Sequence, residues 1–261
     1  MFSAALLAAL AFQMAQNPSP MTDQTRSHGR IAQTGPVGRH AGRVVVIGRP
    51  GPLSPVILHF HGESWLAEQA VASVYPSATV VALYLGNSSD IYRDAFPSPE
   101  SFQALLTEAG AGKRPVILSS FSAGYGAIRA ILRHSSKRID AVLLMDSLHA
   151  GYLGRDLDPA DLDIFLAFAK DAIAGRKRLL ITHSEVYPGT FASTTETVDW
   201  LIRELKLRRV AILVWGPGGM QQLSEVHRGR LTIRGFAGNS APDHVDHLHG
   251  MATWLRVLRR L

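Results

Sequence analysis

Three short runs, Val116–Ser120, Ala141–Met145 and Leu179–Thr182, are apolar apart from their ends and show no polar alternation. A strand with one face in water alternates. A strand covered on both faces does not, so these runs predict interior strands of a parallel sheet held between helices. The intervening segments agree. Asp158-Pro159 caps a helix whose apolar face is Leu162, Phe165, Leu166, Ala169 and Ile173, stopped by Gly175. Ser193-Thr-Thr-Glu196 forms a capping box ahead of Val198, Leu201, Ile202 and Leu205. Ser98-Pro99-Glu100 opens another helix, with serine as cap and proline at the first helical position. Strands are expected over 43–48 and 56–60, joined as a hairpin by the Pro/Gly-rich RPGPLSP, and again over 79–84, 210–215 and 231–236. Residues 241–261 read as a closing helix. At 261 residues and 46% hydrophobic, the chain can bury one large core. The expected fold class is therefore α/β: one three-layer domain over 43–261, its sheet mostly parallel with an antiparallel start.

The first 42 residues differ. Ala4 to Phe12 is Ala/Leu-rich, too short to span a bilayer, and is followed by polar, Pro-containing residues. Residues 1–16 are read as a signal peptide, although no Lys or Arg precedes the apolar run, and residues 17–42 as a linker. A secreted or periplasmic location is expected. No later segment is apolar for long enough to be an integral membrane segment. The net charge of +6 comes mainly from scattered arginines, without the basic stripe and interleaved aromatics that nucleic acid requires. There is no cysteine, which excludes disulfides and thiolate metal sites.

The chemistry concentrates at strand-to-helix handovers, where α/β sheets form their sites. Ser122 follows the apolar run Val116–Ser120, with small residues two before (Ser120) and two after (Gly124), and a helix with Ala127, Ile128, Ile131 and Leu132 follows. A tight turn needs small residues there to expose the hydroxyl, and the Ala123 N–H would open the helix as a free donor. The segment resembles the nucleophile elbow of the α/β-hydrolase family, serine esterases and lipases among them, with Ser120 in place of the usual first glycine. The resemblance implies a serine hydrolase acting on a small-molecule, ester-like substrate (a carboxylic-ester hydrolase), with no cofactor and no large cap domain.

It also implies roles for other residues. Gly62 and Glu63, in His59-Phe60-His61-Gly62-Glu63, stand where the family places a second oxyanion donor beside that of Ala123. His59 reads as a core histidine, and His61 as either core or site. In Asp243-His244-Val245-Asp246-His247 the general base is expected at His244, with His247 the alternative. The acid is Asp146, at the end of the run Ala141–Met145, or Glu185 after the next strand. Asp146 is preferred because a lone carboxylate closing a buried strand needs a partner. A metal reading of the histidines and aspartates lacks a His-Glu-x-x-His pattern, and no metal is assigned. Gly216–Gly219 lacks the spacing of a phosphate loop and reads as a turn. The rival reading is a catalytically inactive domain of this fold that binds a ligand in the cell envelope. The sequence leaves oligomeric state open.

If the leader is removed on export, mass spectrometry of protein from its native host will find the mature N-terminus between Phe12 and Pro18. Intact Met1 recovered from the cytoplasm would refute export.

Overall fold

The computed structural model describes residues 28–33, 42 and 44–261. The expected leader lies outside the described residues. Strands β1 (Val44–Ile47), β2 (Val56–Phe60), β3 (Ala78–Leu83), β4 (Val116–Phe121), β5 (Ala141–Met145), β8 (Arg178–His183), β9 (Val210–Trp215), β10 (Gln221–Arg228) and β11 (Leu231–Phe236) form one nine-stranded sheet. Its order is β1-β3-β2-β4-β5-β8-β11-β10-β9. The six strands from β3 to β11 in that order are parallel, while β1, β10 and β9 add antiparallel edges.

The hairpin expected from RPGPLSP does not form. β1 pairs with β3, not β2, with Val44 opposite Val81. The turn residues of 49–55 promote a reversal but do not choose its partner. β2 is wholly buried and takes parallel neighbours on both sides, so the half-exposed β1 is left at the edge.

Period-two alternation sends successive strand residues to opposite faces, and here both faces are core. Val56, Leu58, Phe60, Leu118 and Leu144 pack on one side with α2 (Ser89–Asp94), α3 (Pro99–Glu108), α4 (Tyr125–Ser135), α5 (Asp163–Ile173) and α6 (Thr194–Glu204). Ile57, Ile117, Leu143 and Met145 pack on the other with α1 (Ser64–Val74) and α8 (Met251–Arg260). The architecture is the single-domain, three-layer α/β-hydrolase-like fold. Between β5 and α5 there is only a small ribbon of two two-residue strands, β6 (Tyr152–Leu153) and β7 (Asp156–Leu157), and no large cap domain.

Two helices differ in detail from expectation. Asp158 caps a 3-10 turn over Pro159–Asp161, and α5 begins only at Asp163, burying Phe165, Phe168, Ala169 and Ala172. The closing helix is two: α7 (Ala241–His249) ends at Gly250, and α8 follows. A Cβ at Gly250 would lie 2.6 Å from Trp254 Nε1. The break lets the Trp254 indole donate to the His247 carbonyl at 2.9 Å, inside the core.

Four histidines are buried, His59, His149, His183 and His247. Burial pushes His59 and His183 down to about 3 and His149 and His247 down to about 4. These groups stay neutral in the folded chain but protonate near 6.5 once unfolded, so between those values the unfolded state holds more protons and stability falls as pH falls. At pH 5 each costs roughly 2 kcal/mol, against a typical total of about 5–15 kcal/mol. Urea titrations should therefore show the unfolding midpoint dropping steeply between about pH 6.5 and 5. A flat profile would contradict the burial of these imidazoles.

Candidate active site

Ser122 sits between β4 and α4, at the carboxyl edge of the sheet, on a 3-10 turn spanning Ser122–Gly124. Its φ is +47°, in the left-handed region, where a non-glycine residue stores about 1–3 kcal/mol. The surroundings enforce this turn. A Cβ on Gly124 would stand 2.1 Å from the Phe60 carbonyl oxygen of β2, so only glycine lets the turn come this close to the neighbouring strand. Ser120, fully buried, is hydrogen-bonded to Ser147 Oγ at 2.7 Å, and Ser147 Oγ–H donates to the Ser122 carbonyl at 2.8 Å. Because the Ser147 proton goes to Ser122, Ser120 is the donor of the pair. The serine in place of the usual glycine thus braces the turn from below.

Asp146 ends β5 with its own left-handed φ of +46° and is 1% exposed. Its carboxylate is saturated with donors. Oδ1 accepts from the Ser184 N–H at 2.9 Å and from the Thr194 hydroxyl, and Oδ2 from the Ser184 hydroxyl at 2.6 Å. Oδ2 also lies 2.6 Å from His244 Nδ1. Burial alone would raise its pKa; facing His247 and His244, with hydrogen bonds from His244 and Ser184, it is held well below the usual carboxylate range. At neutral pH buried His247 is uncharged, so the hydrogen bonds do most of that holding. An ionised carboxylate only accepts, so Nδ1 of His244 carries a proton, and in the neutral imidazole Nε2 is the nitrogen with the free lone pair.

His244 is presented by the first turn of α7. Ser240 caps that helix reciprocally with Asp243, the Ser240 N–H donating to Asp243 Oδ2 at 3.0 Å. Asp243 is thereby accounted for as a capping residue. The His244 ring is half-buried against Phe121, the residue before Ser122, with ring centroids 4.4 Å apart. The structure therefore brings Ser122, His244 and Asp146 to one edge of the sheet, although they are 98 residues apart between Asp146 and His244 alone.

The alternatives are placed elsewhere. His247 is fully buried, with Nδ1 at 2.7 Å from Thr182 Oγ1 and its ring edge-on to Phe236. Glu185 is exposed and engaged with the backbone of Gly238: its N–H donates to the Gly238 carbonyl at 2.9 Å and its Oε2 accepts from the Gly238 N–H at 3.2 Å. His59 is a core residue, 3.1 Å from Ser119 Oγ. His61 has a φ of +71° and its Nδ1 lies 3.0 Å from Tyr92 OH, while its ring stacks on Phe121 at 5.9 Å. It belongs to the wall of the site. Gly62, at φ +105°, and exposed Glu63 lead into the N-terminus of α1. Among the described residues, neither of their N–H groups has a protein acceptor.

Tyr125 is buried and donates to Ser89 Oγ at 3.1 Å, whereas Tyr152 and Tyr187 are exposed. Sequence reasoning missed Ser184, Thr194, Ser147 and Phe121. Thr194 was within reach, since a capping box places the start of a helix and hence its first residues at a strand end. One group of metal-type donors stands among the described residues, His28, Asp243 and Asp246. Its carboxylates are already engaged, Asp243 by the Ser240 cap and Asp246 by His28 at 2.6 Å and Arg30 at 3.4 Å. A cation would have to displace the Arg30 guanidinium.

No protein-family model and no curated protein sequence matches this chain. Among solved structures it is similar to the enterochelin esterase from Shigella flexneri, at 14% identity and a TM-score of 0.45 over 83% of this chain and 54% of that one. The chain thus spans about half the length of that enzyme. It is also similar to carboxylesterase CesB from Bacillus subtilis (11% identity, TM-score 0.44, 98% of this chain and 95% of that one). A third is Est1E from Butyrivibrio proteoclasticus (9% identity, TM-score 0.42, 85% of this chain and all of that one). These likenesses concern the course of the chain, and the reading of the site rests on its own geometry.

The hydrogen bonds separate the two carboxylates sharply. Asp146→Asn keeps size but removes the charge and turns one oxygen into a donor facing Nδ1, so if the chain is an ester hydrolase with Asp146 as its acid, kcat toward a p-nitrophenyl ester should fall ~100-fold or more with KM little changed. Glu185→Gln should cost less than about threefold. Thermal melts come first, because Asp146 also anchors Ser184 and Thr194. A crippled Glu185→Gln beside an active Asp146→Asn would reassign the acid.

Proposed function

We propose that this chain is a serine hydrolase that cleaves carboxylic esters by acyl transfer through Ser122. The observation that carries the proposal is the 2.6 Å bond between His244 Nδ1 and a fully buried, ionised Asp146, at the same sheet edge as a serine in a left-handed turn. A buried carboxylate surrounded by donors supports a single imidazole tautomer, the one whose Nε2 can take a proton. In the proposed reaction Ser122 Oγ attacks the ester carbonyl while its proton passes to His244 Nε2. The imidazolium formed is stabilised by Asp146. The proton then goes to the departing alcohol, and water repeats the sequence on the acyl-enzyme. The N–H of Ala123, with that of Gly62 or Glu63, would hold the oxyanion, since these donors stand at helix starts. Small-molecule esters fit a site without a large cap domain. Export, drawn from the apolar leader at 1–16, would place the activity outside the cytoplasm.

A fluorophosphonate probe tests the reading directly. It should label the wild-type chain at Ser122 and leave Ser122→Ala unlabelled, and that variant should lose ester turnover by at least ~1,000-fold while melting within a few degrees of wild type. A folded wild-type chain that takes no label and turns over no ester is the binding module of the rival reading.

A further inference from the structure

The loop after β5 holds a residue that the proposed reaction does not use. Asp146 anchors His244, and Ser147 braces the Ser122 turn. Two residues further on stands His149, 9% exposed. β4 and β5 pair with Phe121 opposite Met145, so this loop runs beside the turn that carries Ser122. The His149 ring packs on Tyr125, three residues past Ser122, with centroids 5.3 Å apart, and meets Phe191 edge-on at 5.0 Å. Asp146 and His244 are near enough to bear on its protonation.

The ring is held in one orientation. Nδ1 lies 2.9 Å from the Ala192 carbonyl, and the Ala192 N–H donates to the Ala150 carbonyl at 2.9 Å. The Arg129 guanidinium donates to the His149 carbonyl and lies over the Tyr125 ring, 4.9 Å from its centroid. A carbonyl only accepts, so Nδ1 carries the proton. Burial, with the Arg129 cation adding to it, pushes the pKa down to about 4. The imidazole is therefore neutral and Nε2 holds a lone pair. Among the described residues this nitrogen has no protein partner. The Nε2 atoms of His59 and His183 lack one too, but those are sealed inside the core, whereas His149 keeps part of its surface open.

We infer that His149 is a specificity residue: its Nε2 faces the cleft beside Ser122 and accepts a hydrogen bond from a neutral hydroxyl on the substrate, so that hydroxylated esters are preferred over their deoxy counterparts. The inference rests on the hydrolase reading of Ser122. Chemistry selects the group. A lone pair repels a carboxylate, and the Arg129 guanidinium beside the loop disfavours an ammonium, which leaves an uncharged donor. An amide would bring a carbonyl in need of a donor, and the ring's own donor is already spent on Ala192. A hydroxyl brings no such demand. A bound deoxy ester would displace water from Nε2 and leave the acceptor unpaired, the mismatch by which a site built around a hydroxyl rejects its analogue.

Matched substrates test this: p-nitrophenyl lactate against the propionate, β-hydroxybutyrate against the butyrate, and glyceryl against propyl butyrate, which sample both sides of the scissile bond. For at least one pair the wild-type ratio of kcat/KM, hydroxylated over deoxy, should exceed ~10. His149→Asn keeps a donor for the Ala192 carbonyl, and His149→Phe keeps a ring between Tyr125 and Phe191. Both lose the acceptor, and in both the ratio should fall to within about threefold of unity. His149→Gln, whose Oε1 reaches the place of Nε2, should hold it above ~5. The ratio is read within one protein, so a general loss of activity or stability does not imitate the result, and one folded acceptor-free variant suffices. A wild-type ratio near unity in every pair, or a preference that survives in His149→Asn or His149→Phe, overturns the inference and leaves the hydrolase standing. So does a chain that takes the fluorophosphonate label at Ser122 yet hydrolyses none of these esters. A chain that neither labels nor hydrolyses overturns the hydrolase reading, and this inference with it.

Discussion

A single charge in the interior organises this molecule. A carboxylate as buried as Asp146 is tolerable only if its oxygens are filled, since a lone charge out of water costs several kcal/mol. The donors come from three separate elements: Ser184 after β8, Thr194 at the start of α6 and His244 in α7. Satisfying Asp146 therefore requires the sheet, the α6 layer and the C-terminal helix to be assembled together. The same need selects the tautomer of a neutral His244, with its proton on Nδ1. Stability and the proposed reactivity meet in one cluster of hydrogen bonds.

The turn at Ser122 is held by a second, smaller network. Its left-handed backbone is strained, and strain persists only where neighbours over-determine the conformation. Here the carbonyl of Phe60 leaves no room for anything but glycine at 124, and the Ser120–Ser147 pair reaches the Ser122 carbonyl from the other side. Ser147 is the residue after Asp146, so the brace of the turn and the anchor of the imidazole are consecutive on one chain segment. A displacement of β5 would disturb both at once.

Much of this was legible from residue order. Continuous apolar runs marked the parallel strands, small residues flanked Ser122, and Asp146 was preferred on the argument that a buried carboxylate needs partners. What escaped has physical reasons. Pairing of β1 with β3 rather than β2 depends on which strand is most deeply buried, a property of the whole sheet that no turn motif carries. The break at Gly250 reflects the fit of Trp254 beneath the helix, a contact invisible in a periodicity that continues through it. Ser184 and Thr194 are ordinary hydroxyl residues, and only proximity gives them significance. Choosing between His244 and His247 needed depth: helical spacing puts both on overlapping faces, but one lies at the rim and the other within the core.

The position of the acidic residue also bears on how this scaffold can diversify. With Asp146 on β5 as the acid of the proposed triad, the stretch after β8 from Glu185 to Phe191 is released from chemical duty, and its exposed side chains include Tyr187 and Phe191. Glu185 pins only the root of that stretch, through its two bonds to Gly238. Mutational drift, insertion or laboratory recombination can therefore rework this loop without touching the hydrogen bonds on which the proposed chemistry rests, which under that proposal makes it the natural place for related chains to diverge in what they accept.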